Sequence, residues 1–219
     1  MDINNINKKY WSNVAPEKIM AGASYPGKEI LDRLKPRSRV LDVGCGPGLV
    51  SEYLNRNSLV VTGIDINRKA IEEDQNRKDG ISYLMADVTE KLPFPDGHFD
   101  GVVVPYVFVS IIDNKQQNNA AQEITRVLRG GGYLWICEAT ESADYEERYK
   151  VGKEKTGEEN IALSFDDIGE VKRVIRHYTE AELDGLFSSL IKVESSHIVI
   201  KSPNSSMNVE SLRIVYQKI

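Results

Sequence analysis

Through its middle the chain repeats one pattern: a short apolar run, a turn or glycine, then a longer polar segment with apolar residues at helical spacing. The apolar runs fall at 39–43, 59–64, 81–85, 101–104 and 133–137. They are nearly continuous rather than alternating, which predicts strands covered on both faces, and strands that alternate with helices predict a parallel sheet.

Two helix starts are marked by capping signals. Asp113 is followed three residues later by Gln116, and Ala121, Ile124, Val127 and Leu128 then share a face, with Gly130 to Gly132 expected to end the helix. Thr179 and Glu182 repeat the signal before Leu183, Leu186, Phe187 and Leu190. Two further runs, 193–200 and 212–216, flank a polar loop at 201–209 and predict a closing hairpin. Two regions depart from the rhythm. Residues 1–27 precede a short helix containing Ile30, Leu31 and Leu34, and residues 139–176 interrupt the crossover after the fifth strand. An insertion there sits at the carboxyl edge of the sheet, where open α/β folds bind ligands. The expectation is one domain over 1–219, with a cap segment at 1–27 and a substrate cover at 139–176. Within the cover, Ile161, Leu163 and Phe165 are the residues that could face a pocket.

Composition narrows the function. At 219 residues, 41% hydrophobic and 28% charged, the chain is of ordinary globular make-up, and a net charge of −5 disfavours nucleic acid and anionic membranes as partners. The basic residues Lys172, Arg173 and Arg176 read as a solvated helix face. The two cysteines, Cys45 and Cys137, fall in buried-looking segments, so neither a disulfide framework nor a metal site is indicated. A polar segment at 1–10 and the lack of a long apolar run predict a cytoplasmic protein.

The chemistry concentrates at Asp42-Val43-Gly44-Cys45-Gly46-Pro47-Gly48, where a strand runs into three glycines ahead of a helix. Glycines allow positive φ and close approach of backbone to a ligand. The dinucleotide fingerprint requires a glycine where Leu49 stands, and no Gly-Lys-Ser or Gly-Lys-Thr follows, so pyrophosphate and phosphate-transfer loops are disfavoured. Asp42 would repel a pyrophosphate but suits a ligand carrying an ammonium and a sulfonium. The second strand ends at Asp65-Ile66, where an acid can accept ribose hydroxyls, and the third at Asp87-Val88, where an acid can receive an adenine amino group. Three acids at successive strand ends are hard to obtain from folding needs alone.

On these residues the chain resembles the class I S-adenosylmethionine-dependent methyltransferases, especially the type 11 group. Residues 39–48 look like motif I and 63–67 like motif II, 86–100 resemble the adenine-binding loop and fourth-strand entry, and 127–132 the glycine-rich turn before the fifth strand. The resemblance implies a Rossmann-like seven-stranded, mostly parallel sheet of order 3-2-1-4-5-7-6, with helices on both faces. It implies S-adenosylmethionine as cofactor, with Asp42, Gly44, Cys45, Gly46 and Gly48 around the methionine moiety, Asp65 and Ile66 at the ribose, and Asp87 and Val88 at the adenine. Pro105 and Tyr106 would pass near the transferable methyl. Tyr10 and Trp11 look like an aromatic pair that closes such a site, or equally one that packs a helix on the core.

Methyl transfer from a sulfonium needs positioning more than activation, and a base only if the acceptor must lose a proton. Tyr106 and His177 are the candidate catalytic residues; Asp113 is a weaker one that reads as a helix cap, and His177 reads also as an exposed residue at a helix start. Val103-Val104-Pro105-Tyr106 lacks the polar residue that relatives methylating adenine or glutamine usually carry after the fourth strand, which disfavours base and glutamine methylation but does not choose between oxygen, nitrogen, carbon or sulfur on the small-molecule acceptor that is expected. Two alternatives stand beside methyl transfer: a silent adenosylmethionine-binding protein, and a nicotinamide-dependent oxidoreductase, which Leu49 and Asp42 oppose.

Overall fold

The computed structural model describes residues 3–15, 25–77, 79–201 and 208–219. Parts of the expected N-terminal cap (1–2 and 16–24) and of the expected hairpin loop (202–207) lie outside them. The helices are α1 (Ile3–Asn13), α2 (Lys28–Leu31), α3 (Leu49–Arg56), α4 (Arg68–Gln75), α5 (Asn114–Val127), α6 (Glu146–Thr156) and α7 (Glu180–Leu186). The strands are β1 (Arg39–Val43), β2 (Val60–Asp65), β3 (Ser82–Met85), β4 (Phe99–Pro105), β5 (Leu128–Ala139), β6 (Ile161–Phe165), β7 (Val171–Arg176), β8 (Ile191–Lys201) and β9 (Asn208–Gln217).

Consecutive strand residues point to opposite faces, and here both faces are buried. Leu41, Val43, Val102, Val104, Leu134 and Ile136 enter one core with Ile124 and Val127 of α5 and Leu183 of α7. Their neighbours Val40, Val103, Trp135 and Cys137 enter the other, against Ile30 and Leu54. This two-sided burial is why the strands read as unbroken apolar runs. The main sheet has seven strands in the order β3-β2-β1-β4-β5-β9-β8. Counting only its members, that is 3-2-1-4-5-7-6. The pairs β1–β2, β1–β4, β2–β3 and β4–β5 are parallel, whereas β9 runs antiparallel to both β5 and β8.

Both capping signals form. Asp113 accepts from the Gln116 N–H, and Thr179 and Glu182 make a reciprocal capping box. The glycines expected to end α5 instead lie inside the start of β5, because α5 already stops at Val127. At Gly132 a Cβ would stand 2.8 Å from the Asp100 carbonyl oxygen, so the close approach of β4 and β5, rather than a helix cap, explains that glycine.

The insertion was not expected to be a strand pair. It contains α6 and the antiparallel ribbon β6–β7, outside the main sheet. Ile161, Leu163 and Val174 form a satellite core with Ile6 of α1 and Ile112, so these apolar side chains face α1, and Phe165 is exposed. The basic residues assigned to a helix face lie on β7: Arg173 stacks over the Tyr10 and Trp11 rings, and Arg176 pairs with Glu182. Gly152 lets α6 rest on β6, since a Cβ there would fall 1.8 Å from the Ile161 carbonyl oxygen. The insertion closes on itself, with the Tyr178 N–H donating to the Ala139 carbonyl at 2.9 Å.

Candidate active site

Parallel pairing of β1, β2, β3 and β4 brings their carboxyl ends to one edge, and a cavity of about 220 Å³ opens there. The glycine loop forms its floor. Gly44, Gly46 and Gly48 all have positive φ (70°, 50° and 73°), and a Cβ on Gly44 would meet Val107 Cγ2 at 2.6 Å. The Gly44 and Cys45 N–H groups donate to the Ile64 carbonyl, which anchors the loop to the end of β2.

Asp65 locks the loop from the next strand. Its Oδ2 accepts the Gly46 N–H at 2.9 Å and its Oδ1 accepts the Asn67 N–H at 2.8 Å. Burial raises its carboxyl above the usual range, against those N–H donors. Asp42 lies wholly buried beneath the loop, with Oδ2 accepting from Ser51 Oγ at 2.6 Å and Oδ1 without a hydrogen-bond partner. Burial, assisted by the charges of Asp65 and Asp74, pushes Asp42 up to about 7. The floor thus stands on a cluster of carboxyl groups whose charged form a cationic ligand would favour and a pyrophosphate would oppose.

At the end of β3, burial alone would raise Asp87, but Lys8, Thr89 and the local backbone hold it below the usual carboxylate range. Its Oδ1 accepts from the N–H and hydroxyl of Thr89, while Lys8 Nζ approaches Oδ2 at 2.7 Å. Helix α1 thus supplies a wall: Asn7, Lys8 and Trp11 all line the cavity. The helix is held at its far end by Asn67, whose Nδ2 donates to the Trp11 and Val14 carbonyls, groups that a helix C-terminus leaves unpaired. Trp11 Nε1 is buried without a hydrogen-bond partner.

Opposite α1, β4 ends in Pro105 and Tyr106 follows it, both on the cavity wall. Tyr106 has φ 56°, an uncommon conformation for an aromatic residue, and the surroundings enforce it. Its N–H donates to the Cys137 carbonyl and its hydroxyl shares a 2.8 Å hydrogen bond with the buried Ser211 Oγ. Beyond it, the fully buried Glu138 carboxylate accepts the N–H groups of Val107, Phe108 and Val109 at 2.8 to 3.0 Å. Burial nevertheless pushes Glu138 up to about 8.

Of the residues singled out in the sequence, Gly44, Cys45, Gly46, Asp65, Ile66, Asp87, Val88, Pro105, Tyr106 and Trp11 come together around the cavity. Asp42 and Gly48 support it from behind, and Tyr10 packs edge-on against Trp11 without lining the wall. His177 is neither exposed nor on the wall. It is buried in the insertion, its Nδ1 bonded to the Tyr149 hydroxyl, and burial lowers it to about 4. Sequence reasoning missed Lys8, Asn7 and Glu138. Glu138 had a signal, an acid ending an apolar strand as Asp65 and Asp87 do; Lys8 and Asn7 had none beyond lying on a helix.

Residues 41–136 match a family model described as a methyltransferase domain. The chain is 36% identical over 107 residues to a malonyl-[acyl-carrier protein] O-methyltransferase of Enterobacter lignolyticus, covering 48% of this chain and 41% of that protein. It is 32% identical over 143 residues to the O-methyltransferase resE of Aspergillus sclerotiorum, covering 61% and 53%. The chain thus spans about half the length of these curated relatives. A solved S-adenosylmethionine-dependent methyltransferase from Methanosarcina mazei superposes with a TM-score of 0.82 at 27% identity, covering 90% of this chain and 99% of that one. With the glycine loop and the strand-end acids in place, residues 41–136 are matched as a methyltransferase domain, and the chain is similar over most of its length to a solved S-adenosylmethionine-dependent methyltransferase.

Proposed function

We propose that the protein transfers the methyl group of S-adenosylmethionine to a small-molecule acceptor. The observation that carries this reading is the convergence of the glycine loop, Asp65 and Asp87 on one cavity, with the carboxyl of Asp42 buried beneath its floor. When bound, the cofactor supplies an electrophilic methyl on a positively charged sulfur. Asp65 would accept the ribose hydroxyls with the lone pairs that Gly46 and Asn67 leave free. Asp87 Oδ2 would accept an adenine amino group beside Lys8, and Ile66 and Val88 would sandwich the ring. The field of Asp42 beneath the loop favours the ammonium and the sulfonium. Pro105 and Tyr106 would border the acceptor, so that attack occurs in line from their side.

The described residues offer no free base at that end: the Tyr106 hydroxyl is tied to Ser211, Asp113 caps α5, and His177 is away from the cavity. This supports positioning as the main contribution, with an acceptor that needs little deprotonation by the protein. Three relatives bear the name O-methyltransferase, which favours an oxygen nucleophile among the possible acceptors. Residues 139–176 act as an acceptor cover in this reading, working through α1 and the turn after β4, because none of them lines the cavity. A labelled methyl donor incubated with the protein and fractionated metabolites tests the proposal. Label should appear in an organic product only with wild type, and S-adenosylhomocysteine binding without any transfer to any fraction would favour the silent binding protein.

A further inference from the structure

The side chain of Asn7 joins three elements that belong to different parts of the proposed reaction. It is buried, 2% exposed, although it lies on a helix rich in polar residues. Its Nδ2 donates to the Val174 carbonyl at 2.7 Å and to the Ser110 carbonyl at 2.8 Å, while its Oδ1 accepts the Val174 N–H at 2.8 Å. A carboxamide carries the same donor and acceptor as a peptide group, so Asn7 pairs with Val174 as a neighbouring strand would and spends its second N–H on Ser110. Val174 is on the ribbon of the insertion, Ser110 ends the turn that follows Tyr106, and Asn7 stands one residue before Lys8, which reaches Asp87.

The coupling is reinforced on both sides of the amide. Ile6 and Ile112 pack into the same satellite core as Ile161, Leu163 and Val174. On the other side Arg173 stacks over Tyr10 and Trp11. Helix α1 therefore cannot lift from the cofactor side of the cavity without breaking two buried hydrogen bonds to the ribbon and a part-buried one to the turn, and buried amides left unpaired are strongly disfavoured.

We propose that Asn7 is a positioning residue that makes α1, the turn after β4 and the ribbon β6–β7 one lid, so that occupancy of the cofactor site is transmitted to the acceptor side. The proposal rests on the cofactor reading above. Ordering of α1 by the adenosyl ligand orders Ser110 and β7 with it, and the acceptor then meets a finished pocket.

Amide hydrogen exchange on the full chain, with and without S-adenosylhomocysteine, tests this. In wild type the ligand should slow exchange in the glycine loop, in α1 and also at 171–176. In Asn7→Ala the glycine loop should remain protected by ligand, while the ligand-induced slowing at 171–176 should fall at least severalfold. Asn7→Asp keeps the acceptor for the Val174 N–H but loses both donors, and should behave like Asn7→Ala. If wild type shows protection of the glycine loop with none at 171–176, or if both variants transmit protection as fully as wild type, the proposal is overturned. Should the variants fail to fold, the wild-type comparison alone decides it. Absence of protection anywhere, the glycine loop included, would instead remove the cofactor reading on which it rests.

Discussion

Lys8 Nζ lies 2.7 Å from Asp87 Oδ2, so an N-terminal helix and the tip of the third strand meet across the mouth of the cavity. The lysine is 53% exposed and the aspartate 20%. A pair this open contributes under about 1 kcal/mol. Lys8→Met should therefore leave the melting temperature nearly unchanged, whereas Asp87→Ala should weaken S-adenosylhomocysteine by about 1.5 to 3 kcal/mol through loss of a charged acceptor. Calorimetry on both variants checks this; equal affinities for Asp87→Ala and wild type would take Asp87 out of the site.

Asp65 should be costlier to remove than an acid that only touches ligand. Asp65→Ala would forfeit the proposed ribose contact, about 1.5 to 3 kcal/mol of affinity, and also strips an acceptor from the Gly46 and Asn67 N–H groups. The expected result is weaker binding together with a lower melting temperature, with Asp65→Asn intermediate in both. A variant that binds as tightly as wild type would contradict the assignment.

The buried Asp42 makes a pH prediction. Its folded-state value, about 7, lies above the ordinary aspartate value of 3.8. The unfolded chain therefore releases this proton before the folded one does. The stability linked to Asp42 is complete below pH 4 and is lost as pH rises towards 7, by up to about 1.4 kcal/mol per unit. His177 acts in the opposite direction, its lowered value favouring the folded state as pH rises from about 4 to 6.5. The difference between Asp42→Asn and wild type isolates the first effect: the variant should gain relative stability steadily from pH 4 to 7 in urea titrations. A flat difference would mean that Asp42 ionises normally. If its charge also serves the ligand, Asp42→Asn should weaken S-adenosylmethionine more than S-adenosylhomocysteine, which lacks the sulfonium.

Tyr106→Phe separates geometry from proton transfer. The substitution removes the bond to Ser211 Oγ and should lower stability by about 0.5 to 1.5 kcal/mol, with Ser211→Ala non-additive alongside it. Once an acceptor is found, turnover should persist within about tenfold, since burial already raises this hydroxyl far above the neutral range. Abolished turnover with intact cofactor affinity would make Tyr106 a catalytic acid or base after all.

Replacing residues 142–172 by a short glycine and serine linker should leave cooperative unfolding of the main sheet, because the insertion contributes no strand to it. Acceptor turnover should be lost. A shortened protein that turns over like the parent would refute the cover role.

What the sequence made legible was local. Strands with both faces buried, two capping pairs and the glycine loop leave their marks within a few neighbouring residues, and β1, α7 and the sheet order came out as expected. The ribbon β6–β7 had a readable signal too, since Ile161 and Leu163 alternate at the strand period and Gly169, at φ 84°, sits in its turn. The charged residues around it drew attention towards a helix or loop instead. What could not be read were relations between distant positions: Asn7 to Val174, Lys8 to Asp87 and Tyr106 to Ser211 each depend on where whole elements dock. His177 shows the same limit from the other side, because its burial is set by Tyr149 and Tyr145 from α6 and the turn before it.

The hydrogen bond from the Tyr178 N–H to the Ala139 carbonyl places the exit and re-entry of the insertion side by side. A segment whose two ends meet at a fixed point is a cassette: its length enters the folding free energy only logarithmically, and its replacement shifts the register of neither β5 nor β9. Foreign segments spliced between Ala139 and Tyr178 should therefore be accepted by the scaffold provided that they offer α1 a partner for Asn7. Under the proposed cover role, this junction is the place to graft a new acceptor preference while leaving the proposed cofactor site unchanged.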